Sequence, residues 1–360
     1  MASAAAVDSG AVPWQRERLQ TPREDAMIRT PRRQILELAA ALAASAALPA
    51  AAQTVAQTAA FPTRPIRLIV PHAPGGNSDA FGRILAQFLG ERVGQQVVVE
   101  NKPGAGGTVA SGTIAKGTAP DGYTLLVADN GTHAIAPTLY GAKLSYDVFK
   151  DFTPITLAAT FPAVILLHPS VPATTAQEFV ALAKSQPGKF TYSSAGTGNG
   201  SHLTLELFRT AAGGLDMLHV PYKGGAPAVQ ALLAGEVQLT AVSVNTALPH
   251  VQAGKVRALG LASSKRSPAL PDVPTFAESG IVFEGDSWLA IVGPAGIPAE
   301  TVAKLNADIA ATLRQPDVQE RLARLGLVVV ASTPAELTAV LQRDVPKWGK
   351  AVRESGAVAD

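Results

Sequence analysis

The sequence contains no cysteine among its 360 residues. Disulfides, thiolate metal sites, cysteine nucleophiles and a lipid carried on an N-terminal cysteine are therefore excluded. An excess of one charge is also missing, because 30 Lys and Arg residues stand against 28 Asp and Glu residues. A nucleic-acid-binding protein would show a basic face or stripe, so we expect no nucleic-acid partner. Hydrophobic residues make up 47% of the chain and charged residues 16%, a composition that favours a globular protein and excludes a disordered one.

Motifs for metals, cofactors and catalysis are also lacking. The six histidines are scattered, with neither a His-x-x-x-His nor a His-Glu-x-x-His spacing, so we expect no metal site. Residues 194–200 carry Gly-x-Gly-x-Gly rather than the Gly-x-Gly-x-x-Gly of a dinucleotide loop, so we expect no cofactor. Residues 285–289 lack the second glycine of a nucleophile elbow. These absences weigh against a hydrolase or transferase.

The N-terminal region has the three parts of an export signal when it is read from Met27. Several arginines lie within residues 29–33, an apolar run covers residues 38–48, and residues 50–52 are alanines that offer a small-residue cleavage site. At about 1.5 Å per residue, the apolar run is too short to cross a hydrocarbon core of about 30 Å. The pattern therefore favours a cleaved signal over a membrane anchor.

We accordingly expect residues 1–52 to be an export region with its real start at Met27 and cleavage near Ala52. Export would follow the Sec or the twin-arginine route, and the sequence leaves that choice open. Residues 53–64 are predicted to be a linker, and the mature protein is predicted to be periplasmic. The alternative is that residues 38–48 form a buried helix of the folded protein.

The remaining chain alternates short apolar strands with helices. Residues 66–70 are typical of a buried strand, and a helix follows with apolar residues at i, i+3, i+4, i+7 and i+8 from Phe81. Capping boxes at Thr175 and Thr333 predict the starts of two further helices. Further strands are predicted over residues 96–100, 123–128, 165–167, 190–194, 237–244 and 256–262, and further helices over residues 106–116 and 301–313. This order predicts an α/β fold with parallel strands and right-handed crossovers.

Two short segments repeat the same chemistry. Asn130-Gly131-Thr132-His133 and Asn199-Gly200-Ser201-His202 each follow a predicted strand and lead toward a helix. Both offer hydroxyls and free backbone N–H groups at a helix N-terminus, where anions bind well. The repeat favours two similar α/β lobes that face one ligand, and two unrelated capped turns are the alternative.

A series of loop motifs runs in order from Phe61 to the C-terminus. The motifs occupy residues 71–79 (PHAPGGNSD), 101–107 (NKPGAGG), 120–125 (PDGYTL), 194–198 (SAGTG), 201–203 (SHL), 219–224 (HVPYKG), 247–250 (ALPH), 265–268 (KRSP) and 270–275 (LPDVPT). Each motif alone is weak, but in this order and spacing they resemble the Bug-type receptors. These receptors are the solute-binding proteins of tripartite tricarboxylate transporters.

The resemblance implies a type II periplasmic-binding-protein fold, in which two α/β lobes close over a small organic anion. It also implies that the protein has no catalytic residues and is not an enzyme. Residues 65–161 with residues 285–354 would form lobe 1, and residues 162–284 would form lobe 2. The protein would then be a monomeric receptor that delivers a small carboxylated metabolite to the membrane subunits of its transporter. Two alternatives stay open: an exported sensor that signals to a membrane kinase and, more weakly, an α/β hydrolase or transferase.

The resemblance also implies that backbone amides of the first loop hold a ligand carboxylate. Its two adjacent glycines would let a ligand approach the backbone closely, and a helix points its positive end at the cleft. The residues expected to bind the ligand are Ala73, Gly75, Gly76, Asn77, Asp79, Asn130, Thr132, Ser194, Ala195, Gly196, Thr197, His202, Lys223, Ser243, Asn245 and Asp286.

Two departures from the family pattern bear on the ligand. Ser243 and Asn245 stand where several relatives place an acid, so a ligand ammonium group would lack its counter-charge there. This argues against amino-acid ligands. His72 stands where an aromatic residue is usual, which leaves the shape of the ligand open.

Overall fold

Residues 61–358 are the part of the chain that the computed structural model describes. The strands are β1 (Ile66–Val70), β2 (Val97–Asn101), β3 (Thr124–Asp129), β4 (Phe152–Phe161), β5 (Ala163–Leu167), β6 (Phe190–Ser194), β7 (Met217–Pro221), β8 (Leu239–Ser243), β9 (Arg257–Leu261), β10 (Ser287–Pro294) and β11 (Val328–Val329). The α-helices are α1 (Asn77–Val93), α2 (Thr108–Gly117), α3 (Ala136–Leu139), α4 (Ala176–Ser185), α5 (Gly200–Ala211), α6 (Gly225–Leu233), α7 (Val244–Gln252), α8 (Ala299–Leu313), α9 (Pro316–Arg324) and α10 (Pro334–Ser355). The predicted export region, 1–52, lies outside the described residues.

The strands form two separate sheets. The first has the order β11-β4-β10-β3-β1-β2, and the second has the order β7-β6-β8-β5-β9. In the first sheet β1 pairs in parallel with β2 and β3, and in the second β6 pairs in parallel with β7 and β8. The predicted parallel strands are thus present. Antiparallel strands are present as well: β10 and β11 in the first sheet and β5 in the second.

The chain passes between the sheets twice. Strand β4 of the first sheet ends at Phe161, and β5 of the second begins at Ala163, so Pro162 alone joins them. The chain returns at Ser287, where β10 begins and inserts between β3 and β4. The central strand of the first sheet therefore comes from a distant part of the sequence.

Each sheet is covered with apolar residues on both faces. Leu68 and Val70 of β1 belong to one core cluster, whereas Ile69 between them belongs to another. In β5, Ile165 and Val164 are divided between two clusters in the same way. Burial on both faces explains why these strands are continuous apolar runs rather than alternating ones.

Helix α5 also packs on helix α10, which covers the first sheet. Leu203 of α5 belongs to the same buried cluster as Trp348 of α10. Farther along, the Thr210 hydroxyl donates to the Glu354 carboxylate at 3.2 Å. A helix that follows a strand of the second sheet is thereby anchored on the first.

Both predicted capping boxes are confirmed. The Thr175 hydroxyl accepts from the backbone N–H of Glu178, and Thr333 accepts in the same way from Glu336. Each glutamate side chain in turn accepts from the backbone N–H of its threonine. These reciprocal bonds satisfy two of the unpaired donors at each helix start.

We expect Thr333→Ala to lower the free energy of unfolding by about 1 kcal/mol, because it leaves the first turn of α10 without its cap. Urea denaturation measures the loss. Thr113→Ala is the matched control, since Thr113 is an exposed threonine inside α2 whose hydroxyl donates to the Val109 carbonyl and caps nothing. An equal loss in both variants would contradict the role of the cap.

The predicted helix over residues 106–116 begins two residues later than expected. A 3₁₀ turn covers Ala105–Gly107, and α2 starts at Thr108. Gly106 and Gly107 have φ angles of +62° and +93°, which only glycine adopts easily and which interrupt a right-handed helix. Within the described part of the chain, no helix combines the length and apolar character needed to cross a bilayer.

Candidate ligand-binding site

A cavity of about 630 Å³ opens where the loops of both sheets meet. The first sheet contributes the loops that follow β1 and β3, and the second contributes the loop that follows β6 and the end of β8. The lining residues are His72, Asn77, Ser78, Gly106, Asp129, Asn130, Gly131, Ile135, Leu139, Tyr140, Phe161, Ala163, Ala195, Gly196, Thr197, Gly198, Asn199, Gly200, Ser201, Thr204, Ala241, Val242, Ser243 and Ser287. Loops at the carboxyl ends of parallel strands are the usual place for a ligand in α/β proteins.

The N-terminus of α1 presents unsatisfied backbone donors at the cavity wall. Its capping residue, Gly76, has extended backbone and supplies no side-chain cap. Asn77 and Ser78, the first two residues of the helix, line the cavity. The start of α5 differs, because Asn199 Oδ1 accepts from the Ser201 N–H. The α1 end is thus the better place for an anion, since the partial positive charge there has no capping acceptor.

Asp79 fixes the shape of the first loop from behind the cavity. Its carboxylate accepts from the Gly75 N–H at 2.9 Å, from Asn101 Nδ2 at 2.9 Å and from Arg83 at 3.0 Å. Burial opposes ionisation, but these donors outweigh it and lower the pKa of Asp79. Gly75 has a φ of +92° and needs to be glycine, whereas Gly76 has an ordinary φ of −83°.

His72 and Asp129 form a charged pair in the cavity wall. Their side chains meet at 2.5 Å, between His72 Nε2 and Asp129 Oδ2. The hydrogen bond with Asp129 raises the pKa of His72, against the opposing effect of burial. Burial would raise the pKa of Asp129, but His72 and the Thr132 N–H outweigh it and lower that pKa. The pairing therefore favours the protonated form of His72 and the ionised form of Asp129.

Two stacked histidines support the loop after β6 from below. The rings of His202 and His219 are 3.8 Å apart and nearly parallel. His202 Nδ1 accepts from the Gly198 N–H at 3.1 Å, and His219 Nε2 lies 2.6 Å from the Ser194 hydroxyl. Burial and the neighbouring His219 lower the pKa of His202 to about 4, and burial also lowers the pKa of His219. Both rings are therefore neutral, and His202 can accept from the loop.

Comparison with known proteins identifies the family. A family model described as the tripartite tricarboxylate transporter family receptor, TctC, matches residues 81–357. The chain belongs to this receptor family. The resemblance to Bug-type receptors is thereby confirmed.

Solved structures of similar proteins agree with this assignment. The periplasmic binding protein BugD is 36% identical, with a TM-score of 0.67 over 83% of this chain and 99% of BugD. MatC from Rhodopseudomonas palustris with bound malate is 36% identical, with a TM-score of 0.67 over 81% of this chain and 100% of MatC. An R. palustris protein with adipate is 32% identical, with a TM-score of 0.70 over 83% of this chain and 99% of that one. The predicted fold class, an α/β fold of the periplasmic-binding-protein type, is confirmed.

The receptor cavity brings together only some of the residues expected from the sequence. Those that line it are Asn77, Asn130, Ala195, Gly196, Thr197 and Ser243. Those outside the lining are Ala73, Gly75, Gly76, Asp79, Thr132, Ser194, His202, Lys223, Asn245 and Asp286. Most of the polar side chains in the second group are bonded to the protein itself, so they shape the loops around the cavity.

Thr132 and Asn245 are bonded to neighbouring residues of the protein, whereas Lys223 lies outside the cavity wall. Thr132 is buried against Asp129, which accepts from its N–H at 2.8 Å. Asn245 Oδ1 accepts from the Ser243 hydroxyl. Asn245 also packs closely on Gly326, because a β-carbon added at Gly326 would lie only 2.7 Å from the β-carbon of Asn245. The Lys223 side chain is exposed at the surface.

Asp286 lies at the second connection between the sheets. Its carboxylate accepts from the Ala163 N–H at 3.2 Å, so it links the end of one connection to the end of the other. Burial raises the pKa of Asp286 to about 7. The nearby carboxylates of Glu284 and Asp344 add to this increase, and the charge of Lys347 opposes it.

The sequence reasoning missed the acid in the receptor cavity. Asp129 lines the wall and was not among the residues expected to bind the ligand. It does not supply a free counter-charge for a ligand ammonium group, because it is already paired with His72 and bonded to Thr132. Among residues 61–358, no cluster of three or more histidines and acids could hold a metal ion.

Proposed function

We propose that the receptor captures a small carboxylate in the cavity between two lobes and delivers it to the membrane subunits of a tripartite tricarboxylate transporter. The observation that carries this proposal is the uncapped start of α1 at the cavity wall, together with His72, whose imidazole is paired with Asp129 in the same wall. Backbone N–H groups, and an imidazole that is a cation when protonated, suit a carboxylate. The bound adipate and malate of two relatives are both carboxylates, which supports the same ligand class here.

The lobes of this proposal are residues 65–161 with 285–354, and residues 162–284. The division of strands between the two sheets supports these bounds. The ligand would contact Asn77 and Asn130 on one lobe, and Thr197 with its neighbours and Ser243 on the other. We propose that the mature receptor is a periplasmic monomer. The periplasmic location of its relative BugD supports that compartment, and the predicted signal over residues 1–52 would direct export.

We also propose that the receptor binds its ligand without converting it. The Ser194 hydroxyl and His219 are hydrogen-bonded in the manner of a nucleophile and its base, but Ser194 is fully buried beneath the loop. A nucleophile needs access to the substrate and a base held by a third group. The ring of His219 is stacked on the neutral ring of His202, which is not a group that could hold His219 as a base. Turnover of ester or acyl substrates would contradict this part of the proposal.

We expect ligand binding to stabilise the protein and to close the lobes. Two chain connections join the sheets, and α5 packs on α10, so we expect a hinge motion about the connections that keeps this helix contact. A ligand held by both sides binds the closed state better and shifts the equilibrium toward it.

A thermal-shift panel of dicarboxylates, tricarboxylates, aromatic acids and amino acids should identify the ligand. At about a thousand times the dissociation constant, the ligand adds about 4 kcal/mol to the free energy of unfolding.

Solution scattering measures the closure. The radius of gyration should fall when the ligand found in the panel is added at saturation, and it should not change with an acid that gave no thermal shift. An unchanged radius with proven binding would contradict the closure. Absence of any thermal shift across the carboxylates would contradict the proposed ligand class itself.

A further inference from the structure

His72 and Asp129 are the two charged side chains that line the cavity within residues 61–358, and no lysine or arginine lines it there. The other polar contacts that the wall offers come from hydroxyls, amides and backbone N–H groups. These groups bind uncharged acceptors as well as anions. The way in which the cavity recognises a negative charge therefore depends on the state and orientation of His72.

Asp129 holds the imidazole of His72 in one orientation. Its Oδ2 meets His72 Nε2, while its Oδ1 accepts from the N–H and the hydroxyl of Thr132 at 2.8 Å and 3.1 Å. The Asp129 side chain is only 10% exposed, so it cannot easily turn away. The backbone of His72 is fixed as well, because its carbonyl accepts from Asn101 Nδ2 at 3.1 Å.

One nitrogen of the ring remains available. A protonated histidine carries a hydrogen on both ring nitrogens. Nε2 is used by Asp129, and within the described residues no protein group is hydrogen-bonded to Nδ1 of His72. The side chain is 37% exposed and lines the cavity, so a ligand can reach it. The hydrogen bond with the buried Asp129 carboxylate raises the pKa of His72 and so favours the protonated ring.

We propose that His72 is a specificity-determining residue whose Nδ1–H donates to a carboxylate of the ligand, with Asp129 as its positioning residue. This inference rests on the proposed carboxylate-binding function and names the side chain that recognises the charge. The imidazolium has two effects. It supplies a charged donor, and it neutralises Asp129, whose carboxylate would otherwise repel an anion in the cavity.

The two effects separate in a set of variants. His72→Phe removes the donor and leaves Asp129 unpaired, so we expect it to weaken carboxylate binding by about 10- to 100-fold. His72→Phe with Asp129→Asn removes the repelling carboxylate too, and it should recover part of that loss but not all of it. Asp129→Asn alone removes both the group that orients the ring and the charge that favours its protonation, so it should bind more weakly than the wild-type protein. His250→Phe is the matched control, because His250 lies on α7 and not in the cavity wall.

Calorimetry on the wild-type protein gives the affinities for adipate, malate, succinate and hexanoate. The acid that binds most tightly is then used to measure the affinity of every variant. Thermal denaturation without ligand shows whether each variant is folded. Nitrogen NMR of the histidines gives a readout that a merely structural role would not change. We expect both ring nitrogens of His72 to be protonated at pH 7, and the Nδ1 resonance to move on ligand binding while Nε2 keeps its short hydrogen bond.

Several outcomes would overturn the assignment. His72→Phe that is folded and binds as tightly as wild type removes any role for His72. A double variant no better than His72→Phe contradicts the repulsion by Asp129, and an unmoved Nδ1 resonance contradicts the donation. In these cases wild-type binding still supports the proposed function. If neither these four acids nor any carboxylate of the thermal-shift panel binds wild type, the proposed function fails and the assignment fails with it.

Discussion

Gly200→Phe should lower the affinity for a carboxylate ligand by at least about 100-fold, or about 2.7 kcal/mol. Gly200 is the first residue of α5 and lines the cavity. A β-carbon added there would lie 3.6 Å from the Ser287 hydroxyl and 3.7 Å from Asn130 Nδ2, which is ordinary contact. The backbone can therefore accept a side chain, but a phenyl ring must enter the cavity between these two groups. Ser287 begins β10 and Asn130 follows β3, so both lie on the side of the first sheet, whereas Gly200 follows a strand of the second. The phenyl ring would therefore also keep the two sides of the cavity apart.

Gly225→Phe is the matched control for this change. Gly225 is the first residue of α6, is exposed, and has no atom within 4 Å of an added β-carbon. It therefore carries the same substitution at the same position of a helix, away from the cavity. Calorimetry should show wild-type affinity for Gly225→Phe and near loss of binding for Gly200→Phe, with both proteins folded by circular dichroism. Wild-type affinity in Gly200→Phe would mean that the ligand binds elsewhere.

Asp286→Asn should become more stable relative to wild type as the pH rises from 4 to 8, by up to about 4 kcal/mol. The pKa of Asp286 is raised by burial to about 7, whereas an unfolded aspartate ionises near 3.8. Between these values the folded protein keeps a proton that the unfolded chain has lost. The stability that Asp286 contributes is therefore present at low pH and is lost as the pH rises through 7. Asparagine has no such proton and can still accept from the Ala163 N–H.

Urea denaturation of both proteins at several pH values measures the difference, in which the contributions of all other groups cancel. Asp79→Asn is the control of opposite sign. The pKa of Asp79 is lowered by Arg83, the Gly75 N–H and Asn101, so its contribution is present at neutral pH and is lost as the pH falls. Its variant should thus be less stable than wild type at pH 7, with the gap narrowing in acid. A pH-independent difference for Asp286→Asn would show that folding does not raise the pKa of this carboxyl.

Local patterns were sufficient for the elements whose signals are local. The strands predicted over residues 66–70 and 190–194 have those bounds in the structure, and both capping boxes are present. An apolar run between turn residues, or a threonine three residues before a glutamate, specifies its own structure with few distant contacts.

Strands that depend on distant partners were missed. Strand β4 carries Pro154 and several threonines and lacks a clear apolar run, yet it pairs over its whole length with β10. Its structure comes from this partner, which lies more than a hundred residues away in sequence. No strand is predicted over β10 either. Tertiary pairing decides such segments, and local propensity does not.

The site, like the fold, was predictable only where its signals are local. The loop glycines and hydroxyls marked the region of the cavity, and several of them line it. The His72–Asp129 pair was not predictable, because these residues are 57 positions apart and meet only since β1 and β3 pair in parallel. The supporting contact between His202 and His219 depends in the same way on how α5 packs over β6 and β7.

The late insertion of β10 into the first sheet also constrains the order of folding. Synthesis delivers β3 and β4 early, but the strand that separates them, Ser287–Pro294, emerges only after the whole second sheet. Until then β3 and β4 each have an unpaired edge toward the missing neighbour. The second sheet, by contrast, is built from one continuous segment and can form as soon as β9 has been made. A chain cut short near Glu284 would thus hold one complete lobe and one with an open, aggregation-prone gap.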